Sequence, residues 1–94
     1  MPVRWSEHAL ADLEALRTDI AERNERASGT IVLTIFAHIE HLKTQPQIGR
    51  PGRVPGTREL LTRPAPFIVP YRVRGDTIEI LRVLHTAQAW PDGL

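Results

Sequence analysis

The chain has 94 residues, a formal net charge of +1 and 41% hydrophobic residues, which fits a single domain spanning 1–94 with one core and little burial to spare. It contains no cysteine, so disulfides, thiolate metal sites and cysteine nucleophiles are excluded. No apolar run approaches the roughly 18 residues that span a bilayer, and MPVRWSEHA lacks the apolar segment of a signal peptide; a soluble, cytoplasmic protein with no membrane association is expected.

Val3-Arg4-Trp5 reads as a short opening strand, and Ser6 stands where a helix N-cap belongs, with Glu7 in the first turn favouring the helix dipole. Ala9, Leu10, Leu13, Leu16 and Ile20 then recur at helical spacing, with Asp12, Glu14, Asp19, Glu22 and Arg23 on the opposite side. Helix one is predicted to end near Arg23. Asn24 to Ala27 reads as a polar link, and Ser28 as the cap of a second helix with the stripe Ile31, Ile35, Ile39 and Leu42, stopped by Pro46. The pair forms an antiparallel helical hairpin. PQIGRPGRVPG, residues 46–56, carries three prolines and three glycines and reads as a connector that displays Arg50 and Arg53. No Gly-Lys-Ser/Thr follows those glycines, which argues against a phosphate-binding P-loop.

Thr57 to Thr62 reads as a strand, broken by Arg63-Pro64-Ala65-Pro66. From Phe67 to His85 two runs rich in Val, Ile, Tyr and Phe flank Arg74-Gly75-Asp76, the signature of a β-hairpin. A tight turn accounts for that tripeptide better than an integrin-binding motif does. By the period of two, Phe67, Val69, Tyr71 and Val73 share one face of the first run, which makes Phe67 and Tyr71 core residues; in the second run Ile78, Ile80, Arg82 and Leu84 alternate with Glu79, Leu81, Val83 and His85. Pro70 falls inside the first run, where its missing N–H predicts a bulge or a frayed edge. The tail TAQAWPDGL holds Trp90, expected to pack on the end of the sheet or to serve as a contact residue. The fold expected is α+β: a short N-terminal strand, then an antiparallel helical hairpin packed on a three- to four-stranded antiparallel sheet.

Charge divides the chain after Gln45. The first part has five cations against seven acids, whereas the second has seven arginines, no lysine and four acids. Arginine's planar fork grips carboxylate and phosphate, so an acidic or phosphate-bearing partner suits the second part. The four histidines are His8, His38, His41 and His85. His38 and His41 are three apart on a helix, but no third ligand stands at matching spacing, and neither a metal nor another cofactor is expected. Histidine's ordinary pKa lies near neutrality, so His85, with Arg82 and Arg72, is a candidate general acid or base for RNA cleavage, and the alternative is that it closes the last strand by local hydrogen bonding.

The strings VRWSEHALADLEAL, IEHLKTQPQIGRPGR, TREL, IVPYRV and IEILRVLH together resemble the RelE/ParE toxins of bacterial type II toxin–antitoxin pairs, nearly end to end. The resemblance implies a growth-inhibiting toxin neutralised by a cognate antitoxin, in a hetero-oligomer, the antitoxin laying an acidic or amphipathic segment over the toxin. It also implies one of two targets, DNA gyrase for ParE-like members or mRNA in the ribosome for RelE-like endonucleases. Under the nuclease reading His85, Arg82 and Arg72 are the catalytic set. Nuclease members usually carry an arginine three residues before the strand tyrosine, where this chain has Ile68 before Tyr71, and the balance falls toward gyrase inhibition by binding. A module that binds antitoxin without toxicity is a third reading. Arg50, Arg53, Arg58, Arg74 and Trp90 are the expected contacts for target or antitoxin.

Overall fold

A computed structural model describes residues 1–23, 25–62, 66–86 and 88–94, with side chains described for all of these except 20, 21, 23 and 25–28. The link position Asn24, the cap Ser28, the stripe position Ile20 and the break Arg63-Pro64-Ala65 lie outside the described residues.

Ser6 organises the first third of the chain. Its Oγ accepts from the Ala9 N–H at 3.0 Å, the N-cap geometry that its position predicts, and donates to the Leu81 carbonyl at 2.8 Å. Its own N–H donates to the Ile80 carbonyl at 2.9 Å. The start of a helix is thereby fastened to the sheet. Preceding it is β1 (Val3–Trp5), and following it is α1 (Glu7–Arg23). This anchoring sets the phase of α1. Ala9 is fully buried and Leu16 packs against the core, whereas Leu10 is 53% exposed rather than in the stripe. Asp12, expected on the solvent side, faces the sheet instead, because it is one turn on from Ala9 and one before Leu16.

The second helix, α2 (Glu25–Leu42), begins three residues earlier than the polar link predicts. Glutamate, arginine and alanine, the residue types at 25–27, have high intrinsic helix propensity. Its stripe is as read from sequence: Ile35, Ile39 and Leu42 are buried and Ile31 partly so. Phe36 lies beside it, its ring tilted against Trp5 with centroids 5.5 Å apart.

The sheet is larger and more mixed than expected. Beyond β1 it contains β2 (Arg50–Pro51), β3 (Arg58–Thr62), β4 (Phe67–Arg74), β5 (Thr77–Ile80) and β6 (Leu84–His85). The order is β1-β5-β4-β3-β2, with β6 also on β4. Strands β3, β4 and β5 are the expected antiparallel meander. The correction is at the margins. β1 pairs with β5 in parallel, Val3 opposite Ile78 and Trp5 opposite Ile80, which the intervening helices permit as a crossover. β2 is two residues of the Gly/Pro connector, held opposite Glu59 and Arg58.

The turn between β4 and β5 is Gly75-Asp76, with Arg74 opposite Thr77 and a φ of +61° at Gly75. Glycine in the left-handed region at the first central position suits a type II′ hairpin. Further along, the second run is two strands rather than one. Tyr71 faces Ile80 and Ile68 faces Leu84, so three residues, Leu81, Arg82 and Val83, oppose two, Val69 and Pro70. This is the bulge predicted at Pro70. The proline carbonyl accepts from the Leu81 N–H at 2.9 Å, and its missing donor points toward the same unpaired stretch.

That extra residue changes which side chains share a face. Val83 joins Ile78 and Ile80 in the core, which alternation through an unbroken strand does not predict. Leu60, Phe67, Val69 and Tyr71 complete the sheet side of the core, and Ala9, Ile35, Ile39 and Leu42 supply the helix side. Each fully buried large apolar side chain contributes about 1.5–3 kcal/mol. The helices thus cover one face of the sheet, called inner below, and leave the other as the outer face.

Candidate functional site

The inner face carries a cross-element clamp. Arg82, in the bulge, donates from Nε and Nη2 to the two carboxylate oxygens of Asp12 on α1 at 2.7 and 2.9 Å, and the Val83 N–H donates to the same carboxylate at 3.0 Å. Both side chains are mostly buried, at 17% and 16% exposure. The hydrogen bond to Asp12 raises the Arg82 pKa further above its usual value. Asp12 is a residue that the sequence reading left on the solvent side. The signal for it was its place one turn from Ala9, on the helix face that turns inward.

His85 is at the inner end of this region, its ring edge-on to Phe67 with centroids 5.3 Å apart, and its backbone N–H donates to Gln88 Oε1 at 3.1 Å. A cleft of about 340 Å³ opens here, lined by Asp12, Leu16, Asp19, Phe67, His85 and Gln88 among others.

Arg72 is elsewhere. Paired with Glu79 across β4 and β5, it stands on the outer face, its Nε donating to Glu79 Oε1 at 2.9 Å. The structure therefore brings Arg82 and His85 to the helix side and puts Arg72 on the opposite side of the sheet.

Four further arginines, Arg4, Arg50, Arg53 and Arg74, join Arg72 on the outer face. Arg74 reaches the same Glu79 oxygen at 3.2 Å, and Arg4 is opposite Glu79 in the register of β1 and β5. Glu79 has its pKa lowered first by the hydrogen bond from Arg72 and further by the charges of Arg72, Arg74 and Arg4. A second cluster repeats this plan one row on. Glu59 is only 4% exposed and takes Arg50 at 3.1 Å, Arg53 at 3.6 Å and the Arg53 backbone N–H at 2.9 Å. Arg53 also lies flat over Trp90, 3.6 Å from the ring centroid, so the tail is held against the sheet by a cation–π contact.

Arg58 differs from these. It donates to the carbonyls of Gly49 at 2.8 Å and Gln47 at 3.3 Å, tying the connector to β3. Tyr71 completes that tie from beneath. Fully buried, its hydroxyl donates to the Pro46 carbonyl at 2.8 Å and accepts from the Gly49 N–H at 2.9 Å. Burial raises its pKa above the usual phenol value. A Cβ on Gly49 would be 2.6 Å from Tyr71 Cε1, so the close approach requires glycine. Among the described residues, no group of three or more His, Cys, Asp or Glu side chains could hold a metal ion, and no helix is long and apolar enough to cross a membrane.

The chain and its fold have known counterparts. The sequence model of the family described as ParE toxin of type II toxin–antitoxin system, parDE, matches residues 3–90. Protein Y4kP of Sinorhizobium fredii is 38% identical over 92 residues, covering 98% of this chain and 95% of that protein. Toxin RelE2 of Caulobacter vibrioides is 31% identical over 86 residues, covering 92% and 96%. Among solved structures, a chain of the chromosomal ParDE toxin–antitoxin system from P. aeruginosa superposes with a TM-score of 0.75 at 33% identity, covering 90% of this chain and 95% of that one. This chain belongs to the ParE family of type II toxin–antitoxin toxins, within the RelE/ParE superfamily.

Proposed function

We propose that this toxin arrests growth by binding DNA gyrase in the cytoplasm, and that a cognate antitoxin neutralises it in a hetero-oligomer. The observation that carries the reading is the separation of the nuclease candidates. Arg72 is engaged on the outer face, while Arg82 is clamped by Asp12 and His85 lies against Phe67 on the inner side. General acid–base cleavage needs these groups around one phosphate. Inhibition by binding needs only surface. Leu10, Leu33 and Phe36 are exposed on the helices and offer the antitoxin an apolar footing.

The likeness to toxin RelE2 favours a second reading, mRNA cleavage in the ribosome with His85 at the cleft as acid or base. Induction in cells without an antitoxin separates the two. Gyrase inhibition gives growth arrest with DNA breakage and intact transcripts, and rapid transcript cleavage would sink it. His85→Ala is expected to stay toxic; loss of toxicity in a folded variant turns the assignment to the nuclease. Absence of arrest with the wild-type chain favours a module that only binds antitoxin.

A further inference from the structure

Among the described residues, five arginines occupy the outer face of the sheet: Arg4, Arg50, Arg53, Arg72 and Arg74. Two carboxylates, Glu59 and Glu79, pair with four of them, and Glu79 faces the fifth, Arg4, in the strand register. The register aligns Arg4, Glu79 and Arg72 straight across β1, β5 and β4, and Arg50 with Glu59 across β2 and β3 in the next row. With neighbouring strands about 4.8 Å apart, four steps from β1 to β2 make a cationic field roughly 19 Å wide. Each glutamate lies between two guanidinium groups. It offsets their mutual repulsion and fixes their positions, but it neutralises only one of the two.

We propose that this face binds the phosphodiester backbone of duplex DNA, and that through it the toxin touches the DNA segment gyrase holds. The inference rests on the gyrase reading for its setting.

Three observations select this partner. The first is charge: the face carries a surplus of cations, all of them arginine, whose fork suits phosphate oxygens. The second is the lack of apolar anchors. Ile68, Leu81 and Leu84 are nearly or fully buried, and the exposed large apolar side chains among the described residues, Leu10, Leu33, Phe36, Ile48, Val73 and Met1, stand on helices, in the connector, at the terminus or, for Val73, on the inner side of β4. A protein partner needs apolar or aromatic anchors at the centre of its contact, whereas phosphate backbone binding is polar and positive. The third is Trp90. Arg53 takes one face of its ring, and binding the unstacked bases of a single strand uses a succession of aromatic platforms rather than one partly occupied ring. Duplex phosphates need none.

The test uses the full chain and a fluorescently labelled duplex of arbitrary sequence, with anisotropy read across a salt series. Binding is expected to weaken with salt, with a slope of log K on log salt of roughly −3 to −4 for about four phosphate contacts. Arg4→Gln and Arg74→Gln remove exposed side chains, and each is expected to lower the slope by about 1 while thermal unfolding stays close to wild type. No binding by the wild-type chain, or an unchanged slope in both folded variants, overturns the proposal. So does a glutamate-rich peptide that competes more tightly than duplex and loses affinity in the same variants, since that makes the face a peptide site. A parallel gyrase supercoiling assay separates the two ideas. Salt-sensitive duplex binding without gyrase inhibition leaves this surface standing and removes the gyrase reading; inhibition that is equal in wild type and the double variant, without duplex binding, does the reverse.

Discussion

Both faces of the sheet hold arginine against carboxylate, yet the two arrangements differ in reach and in exposure. On the inner face one arginine meets one aspartate across 70 residues of sequence, with two guanidinium bonds, a backbone bond and little solvent. On the outer face each glutamate serves two arginines close to it in the sheet, and those arginines are one-third to two-thirds exposed. Geometry of the first kind fixes one element on another. Geometry of the second leaves donors over. The inner pair belongs to the fold, and the outer clusters belong to the surface that a partner meets.

Asp12→Ala makes the strongest attempt to break that distinction. It leaves Arg82 charged in a largely closed site and removes the acceptor of the Val83 N–H, so a loss of about 3 kcal/mol is expected. For a domain of this size that corresponds to a fall in Tm of roughly 10 °C or more. Denaturant and thermal unfolding read it directly. A loss below about 1 kcal/mol would place the inner pair in the same class as the outer ones.

Tyr71 tests the inner side at its rim, where the connector is seated. It is the single tyrosine of the chain, so tyrosinate absorbance reports on it alone. Burial raises its folded pKa above the ordinary value of 10.0. The stability this group contributes is complete below that ordinary value and is lost as pH rises through the higher folded one. Tyrosinate absorbance is therefore expected to lag a free phenol and to rise together with loss of tertiary structure. Titration at the free value in a still-folded protein would mean that the hydroxyl is not held between Pro46 and Gly49.

What the sequence made legible was local chemistry. The Ser6 cap, the stripe of α2, the Gly75-Asp76 turn and the bulge at Pro70 each rest on a few adjacent residues with strong steric or hydrogen-bonding preferences. What it hid was long-range. Nothing near Val3 specifies a parallel partner 75 residues away, and nothing near Asp12 specifies Arg82. The bulge compounds this, because one inserted residue reverses the alternation beyond it and moves Val83 to the core face. The site reading suffered for the same reason: Arg72, Arg82 and His85 are near in sequence and on one hairpin, but the sheet separates Arg72 from the others. The family resemblance was carried by the strings themselves, and the domain match over residues 3–90 agrees with it.

The outer face makes the gentlest prediction. Arg72 and Glu79 are partly open to water, which screens an exposed pair of this kind, so Arg72→Ala is expected to leave stability nearly unchanged. Its effect belongs in the titration of Glu79. That carboxyl is lowered from 4.5 chiefly by the hydrogen bond from Arg72; its contribution to stability is present above 4.5 and is lost as pH falls through the lower folded value. Carboxyl NMR should show the Glu79 midpoint moving up toward the ordinary range in Arg72→Ala, stopping short of it because the charges of Arg74 and Arg4 remain. If the midpoint stays where it is in the wild type, Arg74 alone fixes the carboxylate and Arg72 is the spare cation of that cluster. If instead the variant unfolds, the outer arginines share the structural role of Arg82, and the division between the two faces fails.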